Sequence, residues 1–313
     1  MDESAEVAYV FPGQGAQWVG MGRDLYDGFP VAKAVFDQAD KVLGLPLSRL
    51  CFKGPEDELR QTINAQPAIV TTSFACLKAL EDAGGKSRLP PPAFVAGHSL
   101  GEYTALAAAG VLDFADAIYL ARERGRLMHE AGLKYPGGMV AILGLGEAPL
   151  AEICRETGAF IANINCSSQL VISGGEDEID RTEEMTKSRG AVRTIRLQVS
   201  GAFHTPLMRP AVEGMEKAIA GLSFHSPTVP IIGNTSAKPL ATADQVKAEL
   251  LTQLCNCVQW QRSIEYMVAE GVGTFIEIGP GKVIAGLIKR INRGAKLVNI
   301  GDAEAVNSYN LPF

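Results

Sequence analysis

The 313-residue sequence has no excess of positive charge: 29 Lys and Arg residues stand against 35 Asp and Glu residues, and the formal net charge is −6. A general nucleic-acid-binding protein needs a broad basic surface, so this composition argues against nucleic acid as a partner. The sequence also lacks a run of about eighteen or more apolar residues, which a membrane-spanning helix requires. Its acidic first residues, 1–6, differ from the basic and then apolar start of a signal peptide. We therefore expect a cytoplasmic protein with no membrane partner.

Cysteine and histidine are scarce, with six and four residues respectively. The cysteines are scattered along the chain, and only Cys255 and Cys257 lie close together. This spacing is typical of reduced, mostly buried thiols and not of a disulfide framework. A zinc site at the close pair would need a second pair of ligands nearby, which the sequence does not supply. We therefore expect no metal site.

The sequence also lacks the common glycine-rich cofactor motifs. A glycine-rich turn follows the first predicted strand, but Trp18 occupies the position where a dinucleotide-binding loop has glycine or alanine. The Gly-Lys pair at residues 281–282 is followed by Val283 and not by the serine or threonine of a phosphate-binding loop. We therefore expect no permanently bound cofactor.

The order of the predicted elements indicates the fold class. Strand-like and helix-like stretches alternate along the chain, and 47% of the residues are apolar, which is enough for a sizeable core. We therefore predict an α/β protein. Within residues 135–198 the elements follow the order β-α-β-β-α-β, which is the ferredoxin-like split motif. We predict that this segment is a small subdomain inserted into a larger one formed by residues 1–134 and 199–313.

The pattern of apolar and polar residues predicts several helices in the larger subdomain. They include helices over residues 24–44, 67–83, 114–129 and 258–270. Asp113 is suited to cap the third of these helices, because its carboxylate can accept hydrogen bonds from the backbone N–H groups of the first turn.

The segment at residues 97–101, Gly-His-Ser-Leu-Gly, lies between a predicted buried strand and an alanine-rich predicted helix. A Gly-x-Ser-x-Gly turn in that context is typical of a nucleophile elbow, which holds the serine hydroxyl on a strained turn away from the sheet. Ser99 is therefore the candidate nucleophile. The backbone N–H of Leu100, at the start of the helix, is a candidate donor to an oxyanion.

The turn at residues 12–17 ends the first predicted strand. Ligands of open α/β sheets bind at the carboxyl ends of strands, so the backbone N–H of Gln14 is a candidate donor at the site. A plain tight turn fits the same residues equally well.

Arg124 falls on an apolar stripe of the third predicted helix, with Ala117, Ala121 and Met128 at helical spacing. A buried guanidinium needs an anion, because leaving its donors unpaired away from water is costly. The sequence leaves two interpretations open. The anion is either a structural Asp or Glu, or the carboxylate of a substrate held by two hydrogen bonds.

His204 is the candidate general base, because it lies at a loop-to-helix junction late in the chain, after the inserted subdomain. The ring of His98 should point away from the Ser99 hydroxyl at an elbow. His129 ends a helix and His225 lies in a polar loop. A lone histidine is more often structural than catalytic, so the pattern alone leaves this assignment open.

The segment at residues 278–301 carries five basic residues and no acidic one. On an acidic protein, this local excess of positive charge suits an acidic partner or a phosphate-bearing ligand. A solvated surface would have the same composition.

Six motifs together resemble the malonyl-CoA:acyl carrier protein transacylases, and they occur in the order seen in that family. The likeness extends from about residue 7 to residue 290. The motifs are FPGQGAQ at residues 11–17, GHSLGEY at 97–103, ERG at 123–125, GAFH at 201–204, VQW at 258–260 and EIGPG at 277–281.

The resemblance implies an α/β-hydrolase-like large subdomain with a ferredoxin-like insertion. It also implies that Ser99 attacks the thioester carbonyl of malonyl-CoA while His204 takes the serine proton, in an acyl transfer through a covalent intermediate. By the same resemblance, the backbone N–H groups of Gln14 and Leu100 would bind the oxyanion.

The family resemblance further assigns the groups around the acyl chain. Arg124 would hold the free malonyl carboxylate, and His98, Met128 and Phe203 would also bind the substrate. Members of the family use no triad carboxylate, and a backbone carbonyl at Gln259 would orient the histidine instead.

The partner implied by the resemblance is acyl carrier protein, a small acidic protein whose phosphopantetheine thiol accepts the malonyl group. The basic segment after Ile278 is one possible docking surface for it. Cys257 stands where members often have proline, and Gly201 stands where malonyl-specific polyketide synthase domains often have histidine, whereas Phe203 accompanies malonyl in those domains. The alternatives are a serine hydrolase on the same scaffold, an acyltransferase for another extender unit, and an acyl-CoA-binding protein without turnover.

Overall fold

Two β-sheets organise the chain in the computed structural model, which describes residues 6–84, 89–199 and 201–309. The predicted α/β class is confirmed. The strands are β1 (Glu6–Phe11), β2 (Phe94–Gly97), β3 (Gly138–Leu143), β4 (Phe160–Cys166), β5 (Gln169–Gly174), β6 (Arg193–Arg196), β7 (Ile231–Ile232), β8 (Pro239–Leu240), β9 (Val272–Ile278) and β10 (Lys296–Ile300). The helices are α1 (Arg23–Gly28), α2 (Pro30–Leu43), α3 (Leu47–Lys53), α4 (Glu56–Arg60), α5 (Thr62–Gly84), α6 (Gly101–Ala108), α7 (Phe114–Lys134), α8 (Glu147–Thr157), α9 (Glu176–Ser188), α10 (Arg209–Ala220), α11 (Ala243–Cys255), α12 (Trp260–Ala269), α13 (Val283–Ile291) and α14 (Ala303–Ser308).

The larger sheet has six strands in the order β10-β9-β1-β2-β7-β8. All neighbours pair in parallel except β7 and β8, which are antiparallel. Residues Val7 to Phe11 of β1 are all buried, as expected for a parallel strand covered on both faces. Because β1 and β2 run in the same direction, the turns that follow them emerge at the same edge of the sheet.

The smaller sheet is antiparallel and has the strand order β4-β5-β3-β6. Its strands and the helices α8 and α9 follow one another as β-α-β-β-α-β between α7 and α10. The apolar sides of the two helices pack on the sheet through side chains that include Leu150, Ile153 and Ile179. This unit is the antiparallel half of the mixed α/β architecture.

Backbone hydrogen bonds at Val258 join the smaller sheet to the segment that precedes α12. The Ile164 N–H donates to the Val258 carbonyl at 2.9 Å, and the Val258 N–H donates to the Ala162 carbonyl at 2.8 Å. Strand β4 of the small sheet is thereby fixed against the segment that leads into α12. The helix predicted over residues 258–270 therefore begins only at Trp260, because Val258 is in extended pairing.

Proline changes two of the predicted helices. The helix expected over residues 24–44 is divided into α1 and α2, with Pro30 in the first turn of α2. Helix α5 begins at Thr62 and not near residue 67, so Pro67 lies inside it. Proline has no N–H to bond the carbonyl four residues earlier, and the Arg122 guanidinium bonds that carbonyl, of Ile63, at 2.8 Å.

The cap predicted for α7 is confirmed, since the Asp113 carboxylate accepts a hydrogen bond from the Asp116 N–H at 2.8 Å. Helices α3 and α14 and strand β10 are elements that the sequence pattern did not indicate. No helix of the described residues combines the length and the apolar composition needed to cross a bilayer. Residues 1–5 of the acidic N-terminal segment lie outside the part of the chain that the structure describes.

Candidate active site

Ser99 lies on the sharp turn between β2 and α6, with a positive φ of 49°. Only glycine fits on either side of this turn. A Cβ at Gly97 would lie 1.9 Å from the carbonyl carbon of Gly101, and a Cβ at Gly101 would lie 2.3 Å from the Phe11 carbonyl oxygen. The strand, the turn and the helix therefore pack backbone against backbone, as the elbow pattern predicts.

The turn after β1 packs directly against the elbow. A Cβ at Gly13 would lie 2.5 Å from the His98 carbonyl oxygen, so glycine lets the two turns meet. Gln14 and Ser99 consequently line the same cleft. Leu100 immediately precedes the first residue of α6. Its N–H therefore has no carbonyl of that helix to bond. The two predicted oxyanion donors thus come from turns that lie in contact.

His204 is buried, and its ring meets Ser99 across 105 positions of sequence. The Ser99 Oγ lies 2.8 Å from His204 Nε2, and His204 Nδ1 lies 2.8 Å from the backbone carbonyl of Gln253. A carbonyl oxygen only accepts, so Nδ1 carries the proton and Nε2 is free to accept from the serine hydroxyl. His204 has a φ of 60°, so both residues of the pair are held in sparsely populated backbone conformations.

The prediction that the Gln259 carbonyl orients the histidine is wrong, because the Gln253 carbonyl does so. Helix α11 ends at Cys255, and the carbonyls of its last turn have no donor within the helix. The Gln253 carbonyl is one of them and is therefore available to His204. Gln259 instead immediately precedes α12 as its N-cap residue, and its N–H donates to the Asn234 carbonyl at 2.7 Å.

Burial, followed by the positive charge of Arg124, lowers the pKa of His204 to about 3. The imidazole is therefore neutral near neutral pH, which is the form that can accept the serine proton. A histidine oriented by an uncharged carbonyl also lacks the anion that would stabilise its protonated form.

Arg124 lies on α7 with an exposed fraction of 1%, and it reaches the same serine. One of its terminal nitrogens, Nη2, lies 3.1 Å from Ser99 Oγ and 2.7 Å from Gln253 Oε1. The other, Nη1, donates to Gln66 Oε1 at 2.7 Å. Its Nε is buried without a partner among the described residues.

The structure therefore does not support the structural Asp or Glu left open as a partner of Arg124. Its hydrogen bonds go to neutral oxygens, and no described carboxylate forms a salt bridge with it. Burial lowers the pKa of the guanidinium, while Tyr103 and Glu102 act in the opposite direction. A buried cation whose direct hydrogen-bond partners are all neutral is suited to bind an anion from outside the chain.

Two glutamines that hold Arg124 were not found from the sequence. Gln66 Nε2 donates to Thr62 Oγ1 at 2.9 Å, and Thr62 Oγ1 donates to Gln14 Oε1 at 2.9 Å, so the arginine and the Gln14 turn share one network. Gln253 contributes both its side chain and its backbone carbonyl. No local pattern marks either glutamine, because each lies inside a helix far along the chain from its partners.

The remaining predicted substrate-binding residues also line the cleft, which has a volume of about 260 Å³. The His98 Nε2 lies 2.8 Å from Asn165 Oδ1 on β4, so its ring is directed to the smaller sheet. Met128 and Phe203 are both buried in the wall. Burial lowers the pKa of His98 as well.

Residues of the smaller sheet, of the turns that follow β1 and β2, and of α13 line the cleft, and part of its wall is apolar. Met139 and Val171 of the small sheet and Ile284 and Leu287 of α13 form that part. The outer face of α13 carries the exposed residues Lys289 and Arg290, and the exposed Lys282 immediately precedes the helix. The site thus combines a candidate nucleophile, a candidate base and a cation in an apolar setting, with basic residues on the helix at its edge.

Three comparisons with known proteins agree on the family. The family model described as acyl transferase domain matches residues 8–309. The malonyl CoA-acyl carrier protein transacylase of Bacillus subtilis (strain 168) is 44% identical over 307 residues, which are 96% of this chain and 95% of that protein.

Two solved structures, one of a malonyltransferase and one of a malonyl-transacylase with its carrier protein, are similar in fold to this chain. The acyl-carrier-protein-S-malonyltransferase of Bartonella henselae superposes with a TM-score of 0.92 at 39% identity, covering 97% of this chain and 98% of that one. A malonyl-transacylase in complex with a type II PKS acyl-carrier protein gives a TM-score of 0.93 at 38% identity, covering 98% and 99%.

Proposed function

The chain belongs to the acyl transferase domain family, and on that premise we propose that it transfers a malonyl group from malonyl-CoA to the phosphopantetheine thiol of acyl carrier protein. The observation that carries the proposal is the position of Arg124, whose Nη2 lies 3.1 Å from the candidate nucleophile Ser99 without a carboxylate partner. In a malonyl thioester a single methylene separates the free carboxylate from the reacting carbonyl. A cation that binds this carboxylate therefore has to lie close to the nucleophile.

The first half-reaction forms an ester on Ser99. The serine Oγ attacks the thioester carbonyl carbon, and His204 Nε2 takes the hydroxyl proton. The carbonyl oxygen becomes an oxyanion, for which the Gln14 and Leu100 N–H groups are the proposed donors. The carbon–sulfur bond then breaks, and His204 returns the proton to the departing CoA sulfur.

The second half-reaction follows the same path in reverse with a different thiol. The phosphopantetheine sulfur of the carrier protein attacks the malonyl-Ser99 ester while His204 accepts the thiol proton. The bond from the acyl carbon to Ser99 Oγ breaks, and His204 gives the proton to that oxygen. No permanently bound cofactor or metal is needed for either step.

The positive charge of α13 and its position beside the cleft support an acidic carrier protein as the partner. The exposed basic residues of α13 lie on the helix whose inner face lines the cleft, which suits an acidic carrier protein that delivers its prosthetic arm there. The cytoplasm is the proposed location, and all six cysteines are free thiols, as is typical of a reducing compartment.

Intact-mass measurement tests the first half-reaction. The protein mixed with malonyl-CoA is expected to gain one malonyl group, and Ser99→Ala is expected to gain none. Addition of phosphopantetheinylated carrier protein should then move the label to the carrier. Free malonate as the main product with carrier present would instead identify a serine hydrolase, and the absence of any adduct would indicate binding without turnover.

A further inference from the structure

Glu102 is a fully buried carboxylate one helical turn beyond Ser99, on α6. Three donors surround it. Its Oε1 accepts from the Asn234 N–H at 3.0 Å and from Asn234 Nδ2 at 2.9 Å, and its Oε2 accepts from Gln253 Nε2 at 2.5 Å. It does not line the cleft, so it has no direct contact with a substrate there.

The carboxylate decides which way the Gln253 amide faces. A carboxylate only accepts hydrogen bonds, so Gln253 must direct its Nε2 to Glu102. The same Nε2 donates to the Ser99 carbonyl at 3.0 Å. Its Oε1 is then left on the other side, where it accepts from Arg124 Nη2 at 2.7 Å. A reversed amide would place a donor against the guanidinium.

Asn234 is oriented in the same way. Its Nδ2 donates to Glu102 and to the Gly97 carbonyl, so its Oδ1 accepts the Ser99 N–H at 2.7 Å. The two amides therefore connect one carboxylate to the backbone of the elbow on one side and to the arginine on the other.

Charge favours the same arrangement. The Gln253 amide stands between the carboxylate of Glu102 and the guanidinium of Arg124, so a negative and a positive group balance each other through one polarised amide. Burial, followed by the nearby Glu249, raises the pKa of Glu102 well above its ordinary value, although the bonds from Asn234 and the charge of Arg124 oppose this shift. All three partners are donors, which fits the carboxylate form.

We propose that Glu102 is a positioning residue that sets the preference of the site for a carboxylated acyl group, by fixing the Gln253 amide that holds Arg124. The proposal rests on the malonyl transfer proposed above. It assigns to Glu102 no contact with the reacting atoms, and its effect passes through Gln253.

The Glu102→Gln variant keeps the shape of the side chain. It replaces one of the two acceptor oxygens by an amide NH₂ donor, although all three surrounding groups of Asn234 and Gln253 are themselves donors. Either the Gln253 amide reverses and opposes Arg124, or one buried donor loses its partner. We expect the ratio of kcat/KM for malonyl-CoA to kcat/KM for acetyl-CoA to fall roughly tenfold, the equivalent of one hydrogen bond to a charged group.

The matched control is Glu249→Gln. Glu249 is also buried, on α11, but its carboxylate bonds the N–H and the hydroxyl of Thr235, at 2.7 Å and 2.6 Å. The malonyl-to-acetyl ratio should not change in this variant. An equal fall of both rates in Glu102→Gln, with the ratio kept, would reduce Glu102 to a structural role and overturn the proposal.

A double-mutant cycle with Gln253→Met tests the route of the effect. Methionine removes the amide and leaves the backbone carbonyl that bonds His204. Gln253→Met should lower the ratio by itself, and adding Glu102→Gln should lower it no further. Additive effects would contradict a route through Gln253.

The Gln253→Met variant also decides the matter if Glu102→Gln does not fold, as judged by near-UV circular dichroism. An unchanged ratio in Gln253→Met would then overturn the proposal, and a lowered ratio would support it. Failure of the proposed function is separate, because it would show as wild-type protein that takes no malonyl group from malonyl-CoA.

Discussion

His204 Nδ1 donates to the backbone carbonyl of Gln253 across 2.8 Å, so the proposed base is oriented by a neutral group and not by a carboxylate. Burial beside Arg124 further disfavours the protonated ring. In the proposed reaction, the imidazole would therefore hold a proton only transiently, between attack by the serine and release to the leaving thiol. This arrangement suits an acyl transfer in which the proton moves out and back within each half-reaction.

Acylation of Ser99 is expected to keep its rate as the pH falls through 6.5, the ordinary histidine value. The pKa of His204 is lowered to about 3, so the neutral base persists down to that range. Single-turnover release of CoA, measured from pH 4 to pH 8 at saturating malonyl-CoA, checks this. A loss of rate with its midpoint near 6.5 would contradict it.

Unlike the rate of acylation, the free energy of unfolding should change because of His204 as the pH falls below 6.5. When the chain unfolds, the pKa of His204 returns to about 6.5, so the unfolded state binds a proton that the folded state does not. The contribution of His204 to the free energy of unfolding therefore falls as the pH is lowered from 6.5 toward 3. Urea unfolding of the wild type and of His204→Gln over this range should separate this contribution from that of the carboxyl groups.

Replacing His204 itself removes the base. His204→Ala should slow acylation of Ser99 by roughly two to four orders of magnitude, the usual contribution of general base catalysis. Rapid-quench detection of the malonyl adduct gives the rate. A rate within threefold or so of the wild type would exclude His204 as the base.

Arg124→Ala should reverse the preference for malonyl over acetyl groups. The variant loses the bidentate partner of the free carboxylate, which is worth roughly a hundredfold in kcat/KM when such a pair is buried. Transfer from acetyl-CoA should change less, because acetyl has no carboxylate. Steady-state assays with both thioesters measure the ratio, and an unchanged ratio would refute this role for Arg124.

Gly97→Ala should disrupt the elbow. The added methyl would lie 1.9 Å from a backbone carbon of Gly101, which cannot move without shifting α6. We expect a lower melting temperature and a loss of Ser99 acylation. Gly286→Ala on α13 is the matched control, since nothing lies within 4 Å of the added Cβ, and it should leave both quantities unchanged or slightly raise stability. Similar melting temperatures for the two variants would argue against close packing at the elbow.

Glu277 should stabilise the helix at the edge of the cleft. Its buried carboxylate accepts from the N–H groups of Ile284 and Ala285, at the start of α13, and from Asn299 Nδ2. In Glu277→Gln the new amide NH₂ would face groups that are themselves donors. We therefore expect a loss of about 1–3 kcal/mol in the free energy of unfolding and a higher KM for malonyl-CoA. Urea unfolding and initial rates measure both, with the exposed Glu304→Gln as control.

The sequence by itself identified the elements whose signals are local. The elbow at Ser99, the Asp113 cap and the β-α-β-β-α-β order depend on residues a few positions apart, so their patterns survive in one dimension. Strand β10 was not predicted because it is a short edge strand in which Lys296 and Asn299 interrupt the apolar residues without regular alternation. The start of α5 was missed because Pro67 is tolerated there only with the help of Arg122.

The residues of the site also divide into those that the sequence identified and those that only the structure revealed. Ser99, His204 and Arg124 were candidates from their motifs and helical spacing, whereas their partners are set by packing. Gln253 is 49 residues beyond His204, and only the way α11 ends against the loop of His204 makes its carbonyl the orienting group. The sequence determined which side chains are available for the chemistry. The tertiary structure alone decided which neutral groups surround Arg124 and His204, because a buried donor bonds whichever acceptor the packed helices bring within about 3 Å.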